Sequence, residues 1–507
     1  MADTLKSMLA SHDAQSFAIG AADKDWLTYG GLRDLGEAVK ADLNASGIDV
    51  DDRVAIVLPN GASMATAFIT IAQSATTAPL NPGYREDEYA FYLDDLNAKA
   101  IVLEHGYDGP ALAAARGLSL TILWLHEDER VAGTFSLKPE GQVAEVSSRE
   151  ATADDVGLIL HTSGTTSRPK IVPLLQSNIT ASADNIAQSL DLKADDRCLN
   201  VMPLFHIHGL IAAVTASLSV GASIWCTSGF NAMTFFTSMK DAKPSWYTAV
   251  PTMHQAILMR SSRNADVIAD IPLRFIRSSS ASLPAQVMET LQETFKAPVI
   301  EAYGMTEATH QMCCNPFGTQ KPGSVGLAAG PEVAIAHEEE DHLIKEAGEV
   351  VISGPNVTPG YESNEDANAK SFFELDGKRW FRTGDKGLFD DEGFLFLTGR
   401  LKEIINRGGE KVSPLVVDGV LMDHPAVAQV VTFALPHPKL GEEVAAAIVL
   451  KDGEVASDSE IRNFASERMA DFKVPRKVVI LDEIPKGATG KMQRIGMAEK
   501  LGLVESL

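Results

Sequence analysis

The run His161-Thr162-Ser163-Gly164-Thr165-Thr166-Ser167-Arg168-Pro169-Lys170 sets hydroxyl side chains on both sides of one glycine and ends in a proline and a cation. Packing gives no reason for such a run; a bound polyphosphate does. Glycine lets the backbone approach a ligand closely, hydroxyls and N–H groups donate to phosphate oxygens, and Lys170 supplies positive charge. The G-x-x-x-x-G-K-[ST] spacing of the P-loop is absent, so this is a different cradle. Taken alone, the same residues also fit a Ser/Thr-rich surface turn.

A loop of this kind must be held by rigid elements. Val156-Gly157-Leu158-Ile159-Leu160 predicts a buried strand that ends where the loop starts, the usual place for a ligand in α/β proteins. Further strands are expected at Arg53 to Leu58, Ala100 to Leu103, Leu120 to Trp124 and Ala222 to Trp225, with a helix over Ser63 to Gln73. Alternation of this kind implies an α/β protein built from largely parallel, stacked sheets. With 507 residues, the chain exceeds what one hydrophobic core can serve. The pattern changes near residue 400. Asp385 to Thr398 carries turn signals and short strands, and Gly399-Arg400-Leu401-Lys402-Glu403 is polar. Beyond it come helices at Leu415 to Met422 and Asp458 to Met469, and strands at Val427 to Phe433 and Glu443 to Val449. The expected organisation is a large N-terminal domain over 1–400 and a small, mobile α+β domain over 401–507.

The net charge of −24 argues against a nucleic-acid or anionic-membrane binder, since both need basic surface. An anionic substrate must then rely on a local positive pocket. Met1 to Ser16 lacks the apolar core of a secretory signal, and no stretch approaches a membrane span. Cys198, Cys226, Cys313 and Cys314 show neither metal-ligand spacing nor a disulfide framework. A cytoplasmic protein is expected, monomeric or a small homo-oligomer. The terminal Glu505-Ser506-Leu507 shares only its leucine with the Ser-Lys-Leu peroxisomal address.

Eight motifs in order make the pattern specific. Leu27-Thr28-Tyr29 precedes the phosphate loop; Pro203-Leu204-Phe205-His206-Ile207-His208-Gly209 and Glu301-Ala302-Tyr303-Gly304-Met305-Thr306-Glu307 follow it. Then come Arg382-Thr383-Gly384-Asp385, Gly399-Arg400-Leu401-Lys402, Gly408-Gly409-Glu410-Lys411-Val412-Ser413-Pro414 and Pro485-Lys486-Gly487-Ala488-Thr489-Gly490-Lys491. Together they resemble, nearly end to end, the adenylate-forming superfamily of acyl-CoA synthetases, luciferases and nonribosomal-peptide adenylation domains. His161, Ser167-Arg168, Phe205-His206-Ile207-His208-Gly209, Glu307-Ala308-Thr309-His310-Gln311-Met312 and the run from Arg400 to Lys411 also resemble its oxalyl-CoA synthetase branch.

The resemblance implies two half-reactions that use ATP, Mg²⁺ and coenzyme A. A carboxylate attacks the α-phosphorus of ATP, and the thiol of CoA then attacks the acyl-adenylate. Thr162, Ser163, Gly164, Thr165, Thr166 and Lys170 are expected on the β- and γ-phosphates. Tyr303, Ser280 and Ala281 are expected around adenine, Thr306 on the α-phosphate, and Asp385 and Arg400 on the ribose. Glu307 is the expected Mg²⁺ ligand, because that cation prefers oxygen. His206 belongs to the catalytic set, with Lys491 expected to bridge the acid and the α-phosphate. Lys402 is the expected hinge, and Gly409 and Lys411 are expected near the pantetheine tunnel. Each residue taken singly has a plain structural reading, such as a turn aspartate or a solvated lysine.

Val416 stands where relatives often carry glutamate, Ile171 where glycine is frequent, and Gln176 where histidine is frequent. None removes a group the chemistry needs. For the acid, His206, His208, Ser280 and His310 make a polar wall that fits a short dicarboxylate such as oxalate. His208 and His310 also fit as satisfied core histidines, and Ser280 as part of the adenine wall. Another short or aromatic acid, or an adenylation enzyme loading a carrier protein, is the alternative; a luciferase or a nucleotide-sensing pseudoenzyme stands further off. Acylation of Lys491 would remove its charge and is expected to stop adenylation while sparing thioester formation.

Overall fold

Strands that are apolar on both faces pair in parallel when helices cover both sides of their sheet. That arrangement governs most of this protein, seen in a computed structural model that describes residues 2–162, 169–485 and 492–504. Four sheets are present among the described residues. A seven-stranded sheet runs, in spatial order, Phe135–Pro139, Thr121–Glu127, Ala100–Glu104, Arg53–Val57, Thr76–Pro79, Val156–Thr162 and Lys170–Leu175. Its inner strands are parallel and its two edge strands antiparallel.

A nine-stranded sheet has Trp246–Ala249 at its centre. On one side lie Phe275–Ser279, Val299–Met305, His310–Cys314 and Leu327–Ala328; on the other, Arg197–Asn200, Ser223–Cys226, Phe17–Gly20 and Leu27–Thr28. One apolar core joins the facing sides of the two sheets, placing Leu158, Leu160 and Val172 of the first with Cys198, Trp246, Phe275 and Ile300 of the second. Helices Tyr29–Ala45, Ala62–Ile71 and Gln176–Ser189 contribute side chains to this layer. The outer faces carry Glu86–Asp95 and Pro110–Gly117 on the smaller sheet and Phe235–Ala242, Pro251–Ser261 and Ala285–Phe295 on the larger. This is the α/β architecture expected from the alternation.

One region departs from expectation. Residues 332–400 form a separate six-stranded antiparallel sheet, in which Lys378–Phe389 is one long strand paired with Leu395–Arg400. Short strands beside turn signals were expected over Asp385 to Thr398. The sheet packs on both faces: Ile335, Val350, Ile352 and Phe381 join the large core, while Ala336, Val351, Phe373 and Trp380 form a small one on the other side.

Past Arg400 a five-stranded sheet begins: Glu410–Val412, Ile405–Arg407, Gly441–Leu450 and Val427–His437, with Lys477–Ile480 beside Gly441–Leu450. Helix Pro414–Met422 starts where the Ser413 hydroxyl accepts from the Val416 N–H. Helix Asp458–Ser466 starts at a Ser457/Glu460 capping box. Their apolar faces share a core with Ile405, Val430, Val444 and Ile448, separate from the cores above. No helix among the described residues is long and apolar enough to cross a membrane.

Candidate active site

The two ends of the phosphate loop are held by a β-hairpin, because Thr162 pairs with Lys170 across antiparallel strands. Ser163, Gly164, Thr165 and Thr166 lie outside the described residues, as does Lys491. The Lys170 ammonium sits 4.0 Å above the ring of Tyr361, whose hydroxyl donates to Glu307 Oε1 at 2.8 Å. Tyr361 therefore joins a phosphate-loop cation to the expected metal ligand. Sequence reading missed it; the only signal is an aromatic residue after Gly360. Burial pushes the Glu307 carboxyl above its ordinary value, while the Tyr361 hydroxyl and the charges of Lys170 and Arg400 pull the other way. Burial lowers Lys170, and the nearby charge of Lys402 adds to that.

Asp385 lies at the meeting of the nine- and six-stranded sheets. It accepts from the Tyr303 hydroxyl and, at 2.9 Å, from Arg400 Nε. Its own N–H donates to Thr383 Oγ1 at 3.1 Å, which fixes the turn. Tyr303, Asp385 and Arg400 thus form one cluster, as expected of residues sharing a nucleoside. Thr306 opens a short 3₁₀ turn, Thr306–Ala308, and lines a small cleft with His161, His206, Tyr84 and Tyr92. His161 is held there by Asp95, with Nε2 and Oδ2 3.1 Å apart.

On the acyl side, the apolar run Gly209 to Thr215 belongs to a π-helix, His208–Thr215. Such segments recur at functional sites. His208 is its first residue and is 2 % exposed. His208 Nδ1 lies 2.9 Å from Ser280 Oγ, and Nε2 lies 2.6 Å from Thr248 Oγ1. The His310 ring meets the His208 ring edge-on with centroids 5.0 Å apart. Ser280 and His310 both have left-handed backbones, with φ of 74° and 100°. Such conformations are uncommon away from glycine and concentrate where the surroundings impose them, often at functional sites. A Cβ at position 304 would lie 1.8 Å from the His310 carbonyl oxygen, so the turn of His310 depends on Gly304. His208, Ser280 and His310 are therefore brought together, His206 lies on the cleft beside Thr306, and Ala281 is exposed.

The Leu401 N–H donates to the Gly384 carbonyl at 2.9 Å, and Lys402 follows in the turn between the last two sheets. Gly408 and Gly409 form the tip of a hairpin with left-handed backbones. From that hairpin the Lys411 ammonium reaches Glu338 of the six-stranded sheet at 3.6 Å. No contact among the described residues joins Gly409 or Lys411 to the nucleotide cluster. Arg494, just after the undescribed segment that includes Lys491, pairs with Glu403 at 3.3 Å and Asp418 at 2.6 Å.

Comparison with known proteins places the chain in a family. A family model described as AMP-binding enzyme matches residues 9–362, and one described as AMP-binding enzyme C-terminal domain matches 417–491. The chain belongs to the AMP-binding enzyme family. Within that family it is 43 % identical over 510 residues to an oxalate–CoA ligase of Arabidopsis thaliana, covering 97 % of each chain. An oxalate–CoA ligase of Saccharomyces cerevisiae is 41 % identical over 476 residues, covering 88 % of this chain and 86 % of the relative. The ATP-bound structure of MatB from Rhodopseudomonas palustris superposes with a TM-score of 0.86 at 26 % identity, covering 99 % of both chains. The AMP-binding enzyme fold thus extends through the smaller C-terminal sheet as well as the paired larger ones.

Proposed function

We propose that this AMP-binding enzyme is an ATP-dependent carboxylate–CoA ligase that converts oxalate to oxalyl-CoA through oxalyl-adenylate. An oxalate oxygen attacks the α-phosphorus, the bond to the β-phosphate bridging oxygen breaks, and pyrophosphate leaves. The CoA sulfur then attacks the activated carbonyl, the thiol proton is lost, and AMP leaves. Positioning and charge neutralisation carry such phosphoryl chemistry.

Thr162, the loop 163–166 and Lys170 are assigned to the β- and γ-phosphates. Tyr303 and Ala281 are assigned to the adenine wall, Asp385 and Arg400 to the ribose, and Thr306 to the α-phosphate. Glu307 is a buried oxygen ligand beside the phosphate-loop lysine, which suits a hard cation. It would hold Mg²⁺, which supplies neutralisation of phosphate charge. Lys491 is assigned to the developing charge between acid and phosphate. Residues 401–507 are assigned to a domain that turns about Lys402, exchanging Lys491 for Gly409 and Lys411 when CoA binds.

The observation that carries the choice of acid is the joined His208, Ser280 and His310, a hydrogen-bonding wall next to the cleft of His206 and Thr306. A fatty chain needs an apolar wall at that place. The identity shared with the two oxalate–CoA ligases supports the same acid. Pyrophosphate release would be measured with oxalate, malonate, acetate, a medium-chain fatty acid and 4-coumarate, with and without CoA. Oxalate-selective release and a CoA-dependent thioester are expected. Selective release with another acid would overturn the choice of oxalate, and no release with any acid would overturn the ligase.

A further inference from the structure

Behind the acyl wall lies a cation whose partner is missing. Arg277, on strand Phe275–Ser279, is 0 % exposed. Its Nη1 donates to His208 Nε2 at 3.3 Å, its Nη2 donates to Gln311 Oε1 at 3.2 Å, and its Nε has no hydrogen-bond partner among the described residues. No carboxylate of the described residues forms an ion pair with it. Burial lowers its hold on the proton to about 10, opposed only by the thiols of Cys314 and Cys198, so it remains a cation. A buried charge without a counter-charge is strongly unfavourable. One is expected to persist where a ligand completes the pair.

The hydrogen bonds show how the charge reaches the ligand site. A guanidinium has only donors, so in this bond His208 Nε2 accepts, as it also can from the Thr248 hydroxyl 2.6 Å away, and the imidazole proton then sits on Nδ1. Nδ1–H then donates to Ser280 Oγ, 2.9 Å away. An oxygen that accepts from His208 turns its own hydroxyl proton elsewhere, and Ser280 is only half-buried, so that proton can meet a ligand. Guanidinium, imidazole and hydroxyl thus form one polarised line with its positive end inside the protein.

We propose that Arg277 is a positioning and specificity-determining residue: its charge, relayed through His208 and Ser280, is completed by the second carboxylate of the dicarboxylate substrate. The proposal rests on the oxalate reading and deepens it. It predicts discrimination between oxalate and glyoxylate, which has nearly the same size and shape but lacks the second negative charge.

ATP–pyrophosphate exchange would be followed with both acids for the full-length wild type, Arg277→Gln, Arg277→Met and Arg277→Lys. Gln keeps a donor without the charge, Met keeps apolar bulk, and Lys keeps the charge. The oxalate-to-glyoxylate ratio of kcat/KM is expected to fall about 10- to 100-fold in the Gln and Met variants, mostly through the KM for oxalate. The KM for ATP is expected to hold, and Lys to restore much of the ratio. An unchanged ratio in either neutral variant, or equal losses with both acids, would overturn the proposal. If Met does not fold, the Gln and Lys pair decides it. If the wild type itself does not activate oxalate, the oxalate reading fails first and takes the proposal with it; that outcome is visible before any variant is compared.

Discussion

On the nucleotide side of the cleft, charges come in opposed pairs. Arg400 is bonded to Asp385, and Lys170 and Glu307 feel one another across the ring of Tyr361. On the acyl side, Arg277 has imidazole and amide partners but no carboxylate among the described residues. The first arrangement is neutralised before any ligand arrives and orders its groups for a ligand whose own charge a cation can balance. The second is left incomplete. The part of the site proposed to handle ATP is therefore expected to be indifferent to the acid, and the proposed acyl side to be tuned to an anion.

Three substitutions test that contrast. Glu307→Gln has the largest expected effect: adenylation should fall about 10²–10³-fold with every acid, leaving the ranking of acids unchanged. A changed ranking would merge the two sides into one. Ser280→Ala should raise the KM for oxalate about tenfold and leave the KM for ATP alone, because it removes the hydroxyl that meets the anion. Equal effects on both constants would place Ser280 on the adenine wall instead.

The smallest effect concerns an exception to the pairing. Glu301, on the strand that carries Tyr303, is fully buried and accepts from the Leu283 N–H at 2.9 Å; burial pushes its carboxyl up to about 8. The unfolded chain releases that proton near about pH 4.3. Its contribution to stability is thus fully present below that pH and is lost as pH rises through about 8. Glu301→Gln keeps the acceptor and should flatten the decline of Tm between about pH 5 and about 8.5. An unchanged decline would clear Glu301 of causing it.

Much of this was legible in the sequence. The strands at 53–57, 100–104 and 156–162 followed from apolar runs, and the resemblance to adenylate-forming enzymes implied that Tyr303, Asp385 and Arg400 meet. Arg277 was not legible. In Phe275-Ile276-Arg277-Ser278-Ser279 an arginine reads as a solvent-facing strand residue, and residues distant in sequence, His208 of the π-helix and Gln311 among them, pack against it. Tyr361 was hidden for a related reason, since its role depends on two residues that it meets through space. The left-handed Ser280 and His310 were equally silent, because nothing in a serine or histidine announces positive φ.

The π-helix that begins at His208 has one further consequence. A π-turn holds one residue more than an α-turn, so shortening the segment Gly209–Thr215 by a single residue could return it to the commoner winding. Each α-helical residue advances the chain by about 100° around the axis. Such a deletion would swing His208 away from Arg277 and Ser280 without altering any side chain that meets the acid. Acid preference in this fold could then change by length rather than by substitution, and a comparison of contact residues alone would not register the event.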